Sequence, residues 1–355
     1  PFGMEIELLV GSLTKKQKEK VLERVKNKEI DILIGTHALI EDKVEFDRLG
    51  LVITDEQHRF GVRQRGKLSD KGNNPDVLVM TATPIPRTLA LILYGDLDIS
   101  IIDELPPGRQ PIDTIAVSKD KRDRAYNNLV RAEVEKGRQV YIVCPLVEES
   151  EAIEAKAAVE LVEELKQEYF SDLKVGLLHG KMKASEKESI MKSFKNKELD
   201  ILVSTTVIEV GVNVPNATLM IIENAERFGL AQLHQLRGRV GRGKHKSYCI
   251  LIYASKSEVC RQRMSIMEET NDGFKISEKD LEIRGPGEFF GTRQHGLPEL
   301  KIANIFKHMK ILKIAQQEAR YIIGEDLKLQ KFENKLLKNE IIDKFEYAAR
   351  EISLN

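Results

Sequence analysis

Two carboxylates stand side by side at Asp55-Glu56, directly after the apolar run Leu51–Thr54. In an open α/β sheet the ligand crevice lies beyond the carboxyl ends of the strands, so a carboxylate pair there is placed for a metal-bound phosphate. In that chemistry Asp55 holds Mg²⁺, while Glu56 orients and deprotonates an attacking water. A second set is Gln235-Leu-Arg-Gly-Arg-Val-Gly-Arg242, whose glycines let guanidinium groups approach an anion closely. Arginine offers a planar, permanently charged fork suited to charge developing on a transferred phosphoryl group. Taken singly, each motif has a plainer reading: an exposed acidic turn for the first, a basic nucleic-acid-binding turn for the second.

An internal repeat favours reading the two together. Lys26–Thr36 (KNKEIDILIGT) reappears as Lys195–Thr205 (KNKELDILVST), and the same displacement lays Gly11 on Gly180, Glu19 on Glu188 and Val25 on Phe194. With one residue fewer, Leu51–Gly61 (LVITDEQHRFG) falls on Leu219–Gly229 (LMIIENAERFG). Blocks kept in register in this way are two copies of one unit. The first copy carries Asp55-Glu56; the second has Glu223-Asn224 in that place and supplies arginines instead.

The elements that must position these groups alternate. In the first copy Ile6–Val10, Asp31–Ile34, Leu51–Thr54 and Val77–Met80 are short apolar runs without a polar face, the pattern of strands buried on both sides. Thr14–Lys28 reads as a helix with Val21, Leu22 and Val25 on one side. The second copy offers strands at Val140–Cys144, Lys174–Leu178, Asp200–Val203, Leu219–Ile222 and Ser247–Ile252. Strands alternating with helices predict an α/β fold, two tandem parallel-sheet lobes with right-handed crossovers. Pro106-Pro107-Gly108, followed by Pro111, is the natural hinge. After Lys256 the pattern changes to a helix at Ser257–Glu269, then a Gly-rich loop with Arg284-Gly-Pro-Gly-Glu288 and Gly291-Thr-Arg-Gln294, then charged amphipathic helix beyond Leu300. The expected segments are 1–108, 109–256 and 257–355.

Composition narrows the class. The 355 residues suffice for two or three domains, and 41% hydrophobic with 32% charged residues suits a folded, heavily charged surface. No apolar run approaches the ~18–20 residues that span a bilayer. Cys144, Cys249 and Cys260 show no CxxC spacing, which disfavours a zinc site or disulfide framework and suits a reducing cytoplasm. A formal net charge of zero argues against a non-specific nucleic-acid sponge, though not against a local phosphate-gripping groove. The absence of tryptophan and 6% aromatics weaken a base-stacking mode. Opening at Pro1 without a start methionine, the chain is expected to begin mid-protein.

The ordered set Gly35-Thr-His37, Asp55-Glu-Gln-His58, Thr81-Ala-Thr83, Ser204-Thr-Thr206 through Gly211, and Gln235 through Arg242 resembles the superfamily-2 helicase motifs in their usual order. More narrowly, DEQHRFGVRQR, MTATPIPRTLA, IDELPPGR, STTVIEVGVNVP, GLAQLHQLRGRVGRG and the tail element DLEIRGPGEFFGTRQHGLPE are similar to the RecG family of bacterial branch-migrating helicases. The transcription-repair coupling factors are similar through TATPIPRT and the tail hairpin, but usually carry a further acidic residue where this chain has Gln57-His58.

The resemblance implies two RecA-like lobes, the first incomplete, followed by a C-terminal helical hairpin, loop and helices. It implies ATP and Mg²⁺ as cofactors and branched DNA (forks and Holliday junctions) as partner, in recombination and repair. The setting would be the bacterial cytoplasm, at the nucleoid, with no membrane and a monomeric state. Asp55 and Glu56 would serve metal and water, and Gln57 and His58 would couple the site to the other lobe. Arg239 and Arg242 would be fingers reaching the γ-phosphate, with Gln235, Gly211 and Thr83 close to the nucleotide. Thr36, His37 and Thr205 would hold DNA. Thr36 and Thr205 are equivalent by the repeat, and two hydroxyls on mobile lobes can grip phosphates along one strand; the alternative is that each caps a helix. Thr81, Arg263, Arg284 and Gln294 would couple hydrolysis to translocation. Asn213 stands where many relatives carry Asp.

A P-loop (GxxxxGK[ST]) is what such an ATPase needs. Gly61–Leu68 and Gly238–His245 both fail for want of the hydroxyl that ligates Mg²⁺. The expectation is therefore the motor part of a longer enzyme, inactive by itself; a non-catalytic DNA-binding scaffold is the other class of reading, disfavoured by the intact carboxylates and arginines.

Overall fold

A computed structural model describes residues 3–56, 68, 71–82, 84, 98–106, 109–145, 151–205, 213–289 and 308–343. By contact density the chain divides into two compact units, Pro1–Pro86 with Ile102–Gly285, and Arg87–Ile101 with Pro286–Asn355.

The first repeat builds two separate parallel ribbons. β1 (Ile6–Leu9) pairs with β2 (Ile32–Gly35), and β3 (Leu51–Thr54) with β4 (Asp76–Val79). Between β1 and β2 runs α1 (Lys15–Lys26), started by Thr14 in a reciprocal cap: the Gln17 amide donates to the Thr14 hydroxyl, and the Thr14 amide donates to Gln17 Oε1. Val21 and Val25 of α1 pack with Leu9 and Val44 as a small core.

The second repeat builds a complete six-stranded parallel sheet in the order β5-β10-β9-β6-β8-β7. These strands are β5 (Ile112–Ser118), β6 (Gln139–Val143), β7 (Val175–Leu178), β8 (Ile201–Ser204), β9 (Ala217–Ile222) and β10 (Ser247–Tyr253). A continuous helix α2 follows β5, made of Arg122–Arg124, a π-helical Ala125–Val130 and Arg131–Glu135. Further crossovers are α3 (Glu151–Glu164), α4 (Ala184–Lys195) and α5 (Leu230–Arg237). Every residue of β6 is buried, because it sits between β8 and β9 with cores on both faces.

The repeat holds at the level of individual bonds. β1, α1 and β2 match β7, α4 and β8 end for end, and the registers Ile6↔Ile32 and Val175↔Ile201 correspond. Asp31 accepts from the Glu5 amide as Asp200 does from the Lys174 amide. Lys28 and Lys197 share a left-handed backbone just past α1 and α4. By this correspondence β6 has a counterpart position between β2 and β3 that no described strand fills.

Two expectations are corrected. The first-repeat strands are not buried on both faces: Ile6 is 58% exposed and Ile53 55%, since α1 covers one side only and each ribbon lacks a full sheet beside it. The tail segment Arg284-Gly-Pro-Gly is not loop. It lies in α7 (Gly273–Phe289), which follows α6 (Glu258–Glu269) after a three-residue turn. Pro286 removes one intrahelical bond, so that last stretch of α7 is its weakest. Residues from 290, including the rest of the expected loop, lie outside the described residues. β5 is a further strand outside the expected set: Pro111, expected in the hinge, is followed directly by a strand that begins at Ile112.

In the second unit, α8 (Met309–Glu325) is amphipathic, and Asp326 accepts from the Gln330 and Lys331 amides in the turn after it. Among the described residues no helix is long and apolar enough to cross a membrane.

Unequal burial of matched strands sets an expected outcome. Hydrogen exchange at Ile32–Ile34 should be faster than at the equivalent Ile201–Val203, because few buried contacts resist local opening there. Equal protection at the two sites would contradict it.

Candidate functional site

The carboxylate pair sits where a parallel strand ends. Asp55 and Glu56 follow β3 directly; Asp55 is exposed, Glu56 half-buried, and the Glu56 amide donates to Asp55 Oδ1 at 2.8 Å. Glu56 adopts a left-handed backbone, φ 49°, a conformation costing a non-glycine residue about 1 kcal/mol. Its counterpart Asn224 has φ 46°, so the turn is a property of the repeated backbone. Two hard oxygen donors on consecutive residues at this edge fit a divalent cation carrying phosphate.

In the second copy the same place is chemically closed. Glu223, counterpart of Asp55, is buried and accepts from Arg122 Nε at 2.7 Å and from the Tyr126 hydroxyl. Arg122 also donates to Glu164 at 2.5 Å. Burial and the Glu223 charge push the Tyr126 hydroxyl well above its ordinary pKa, so it stays a donor. This carboxylate serves to fasten α2 to the end of β9.

Arginines gather at the end of α5. Gly238 is the C-cap of α5, and its carbonyl accepts from Arg242 Nε and from Arg109 Nη2, each at 3.1 Å. Gly241 turns the chain at φ 73°, and a Cβ there would meet Ile112 Cγ1 at 2.9 Å. Glycine is therefore required for the arginine turn to lie against β5. Arg242 is exposed and Arg239 half-buried; Arg109 is half-buried, and burial with the nearby Arg242 charge lowers its basicity. Gln235 lies half-buried on α5.

The remaining expected residues are scattered. Thr36 directly follows β2 and is exposed, at the start of a 3₁₀ turn to which its hydroxyl gives no cap; His37 beside it is exposed. Thr205, its repeat partner, is buried, and its hydroxyl oxygen has no hydrogen-bond partner among the described residues. The two threonines thus share a backbone position but not an environment. Thr81 lies just past β4 and is exposed. Arg263 is on α6, half-buried, with Nε unpartnered among the described residues. Arg284 lies on α7, but its side chain is outside the described residues, as are Gln57, His58, Thr83, Gly211 and Gln294 altogether.

Four residues here escaped the sequence reading: Arg109, Arg122, His234 and Arg237. Arg109 closes the quoted IDELPPGR stretch and Arg237 lies inside the arginine motif, so position in a motif was the available signal. His234 faces cations only partly offset: burial, then Arg237 and Arg109, lower its pKa to about 4, against a small opposing pull from Asp272. Its Nδ1 accepts from Arg237 Nη2 at 3.0 Å, which places the ring proton on Nε2.

Such a histidine makes stability pH-dependent. The folded state holds the ring neutral down to about pH 4, while the unfolded chain protonates near pH 6.5. The unfolded state therefore binds more protons between these values, and the contribution present above pH 6.5 is lost as pH falls towards 4. His234→Gln should lose about 1–2 kcal/mol less than the native chain between pH 7 and pH 5. Urea midpoints at the two pH values measure this; a gap between the chains that does not change with pH would refute it.

Comparison with known proteins agrees with this layout. Residues 2–92 match the DEAD/DEAH box helicase family, 120–244 the helicase conserved C-terminal domain, and 270–347 the family described as ATP-dependent DNA helicase RecG, domain 3, C-terminal. The ATP-dependent DNA helicase RecG of Synechocystis is 53% identical over 343 residues, covering 97% of this chain and 41% of that protein. Its Bacillus subtilis namesake is 52% identical over 341 residues, covering 96% and 50%. A solved structure of RecG bound to a three-way DNA junction superposes with a TM-score of 0.66 at 48% identity, over 88% of this chain and 40% of that one. The chain thus spans half or less of the length of these three relatives. With matches running through both helicase regions and the tail, the chain is similar over nearly its whole length to proteins of the RecG family.

Proposed function

We propose that this chain is the motor portion of an ATP-dependent DNA helicase that remodels branched DNA, with residues 1–108 and 109–256 as its two lobes and 257–355 as the element that turns lobe movement into DNA movement. The observation that carries this is the division of labour between two copies of one backbone: a carboxylate pair, Asp55 exposed and Glu56 half-buried, follows β3, and an arginine turn ends α5. A scaffold would have no use for either.

ATP with Mg²⁺, when bound, supplies the free energy of phosphoanhydride hydrolysis. Asp55 would hold the metal, and Glu56 would orient the attacking water and accept its proton. Arg239 and Arg242 would offset negative charge as it develops, with Gln235, Gly211 and Thr83 lining the nucleotide side. Gln57, His58 and Thr81 would relay the nucleotide state between lobes. Thr36, His37 and Thr205 would contact the DNA backbone, which requires Thr205 to emerge from its present burial. Arg263, Arg284 and Gln294 would couple the tail to that motion. The match of residues 270–347 to a RecG-specific tail supports this over a transcription-repair coupling factor. Junction DNA in the RecG structure supports branched DNA as the partner. Recombination and repair at the bacterial nucleoid, by a monomer, complete the proposal.

Among the described residues neither half shows a phosphate-gripping loop, and no strand fills the position between β2 and β3. These residues alone are therefore expected not to hydrolyse ATP; release of phosphate above that of a Glu56→Gln control would contradict this. In a protein of the relatives' full length, Arg242→Ala should cut DNA-stimulated hydrolysis by roughly 10³-fold, the usual scale for an arginine finger. Fork affinity, measured beside it, should change little. Collapse of affinity with hydrolysis preserved would make the turn a DNA patch and sink the assignment.

A further inference from the structure

Arg237 heads the fully buried side chains by size, at 2% exposure. Among the described residues it has no carboxylate partner, and burial lowers its basicity. A lone buried guanidinium is costly unless its donors are satisfied, and an apolar side chain of similar size would fill the space more cheaply. Its donors are satisfied by three separate segments. Nη1 donates to Thr114 Oγ1 of β5 at 3.1 Å, to the Met267 carbonyl at 2.8 Å and to the Thr270 carbonyl at 3.0 Å. Nη2 donates to His234 Nδ1 on its own helix. Met267 and Thr270 close the carboxyl end of α6, where exposed carbonyls and the helix dipole favour a cation.

The segments so joined are significant. The arginine turn starts one residue on, at Gly238. β5 is the first strand after the interlobe stretch. Thr270 opens the α6–α7 junction, which is itself stiff: the Asp272 amide donates to Thr270 Oγ1, and Asp272 Oδ1 accepts from the Phe274 amide at 2.9 Å. Gly273, at the start of α7, leaves no room for a Cβ, which would lie 2.7 Å from His234 Nε2. α5 and the junction are therefore locked both by hydrogen bonds and by contact.

We propose that Arg237 is a positioning residue that makes the arginine turn, β5 and the α6–α7 junction move as one body, so that displacement of Arg239 and Arg242 is delivered to α7. This rests on the motor reading above and assigns it a transmission point.

The test uses a protein of the relatives' full length carrying Arg237→Lys, which keeps the charge and loses the fork, with Thr114→Val as a milder variant that removes one contact. Hydrogen exchange is followed at 238–242 and 270–275, with and without Mg²⁺ and a non-hydrolysable ATP analogue, beside melting temperature, ATP turnover and base pairs opened per ATP. In the native protein both segments should respond to the analogue. In Arg237→Lys the response at 238–242 and the turnover should persist. The response at 270–275 and the base pairs opened per ATP should fall roughly tenfold, the size of an ordinary coupling free energy. Thr114→Val should lie between. A native response at 270–275 in Arg237→Lys overturns the inference, as does a parallel fall of turnover, opening and melting temperature. Where Arg237→Lys melts lower, measurements below its transition decide: restored coupling overturns the inference, and persistent loss upholds it. No response at 238–242 in the native protein would instead fell the motor reading, and this inference with it.

Discussion

Parallel pairing is the constraint on which the rest depends. When every strand points the same way, every carboxyl end lies on one edge, and side chains just past those ends collect there. Asp55-Glu56, Thr36, Thr81, Thr205 and Glu223 all occupy such places because β2, β3, β4, β8 and β9 obey that polarity. Parallel strands also require cover on both faces. The second half meets this with its own residues, as the complete burial of β6 shows. The first half, with two ribbons and half-exposed isoleucines, does not.

The two copies show how one backbone supports different chemistry. Glu56 and Asn224 keep the same left-handed turn, although only asparagine adopts it readily. One position earlier, Asp55 stays open to water while Glu223 is tied to Arg122 and Tyr126. The difference lies less in the carboxylates than in what faces them. A cation and a phenol arriving from α2 turn what is an open edge in the first copy into a fastening between helix and sheet.

Much of this was legible from the residues because the signals were local and periodic. Apolar runs located nine of the strands to within a residue or two, and the helix expected over Thr14–Lys28 contains α1. The repeat by itself makes Asp55-Glu56 and Glu223-Asn224 equivalent turns. β5 escaped because its start abuts Pro111 and only one edge of it pairs, so its pattern is mixed rather than apolar. Arg237 and Arg109 escaped for a different reason. Their partners Thr114 and Gly238 lie far away in sequence, and nothing local distinguishes a buried structural arginine from the exposed or half-buried arginines of the same motif. Thr205 likewise reads as the twin of Thr36, and only packing reveals that one is buried and the other exposed.

The carbonyl of Gly238 has two lone pairs, and two guanidinium groups occupy them. An acceptor with a single donor pays the full desolvation penalty when that donor leaves, an activation cost on the order of 1–3 kcal/mol at a half-buried site. Here the departure of Arg242 leaves Arg109 in place, so the carbonyl is never orphaned. In the proposed finger role Arg242 would in effect be mounted on a bearing: its resting contact would fix a starting direction without adding a barrier to its swing. Arg109, by staying, would keep the end of α5 intact while its neighbour travels.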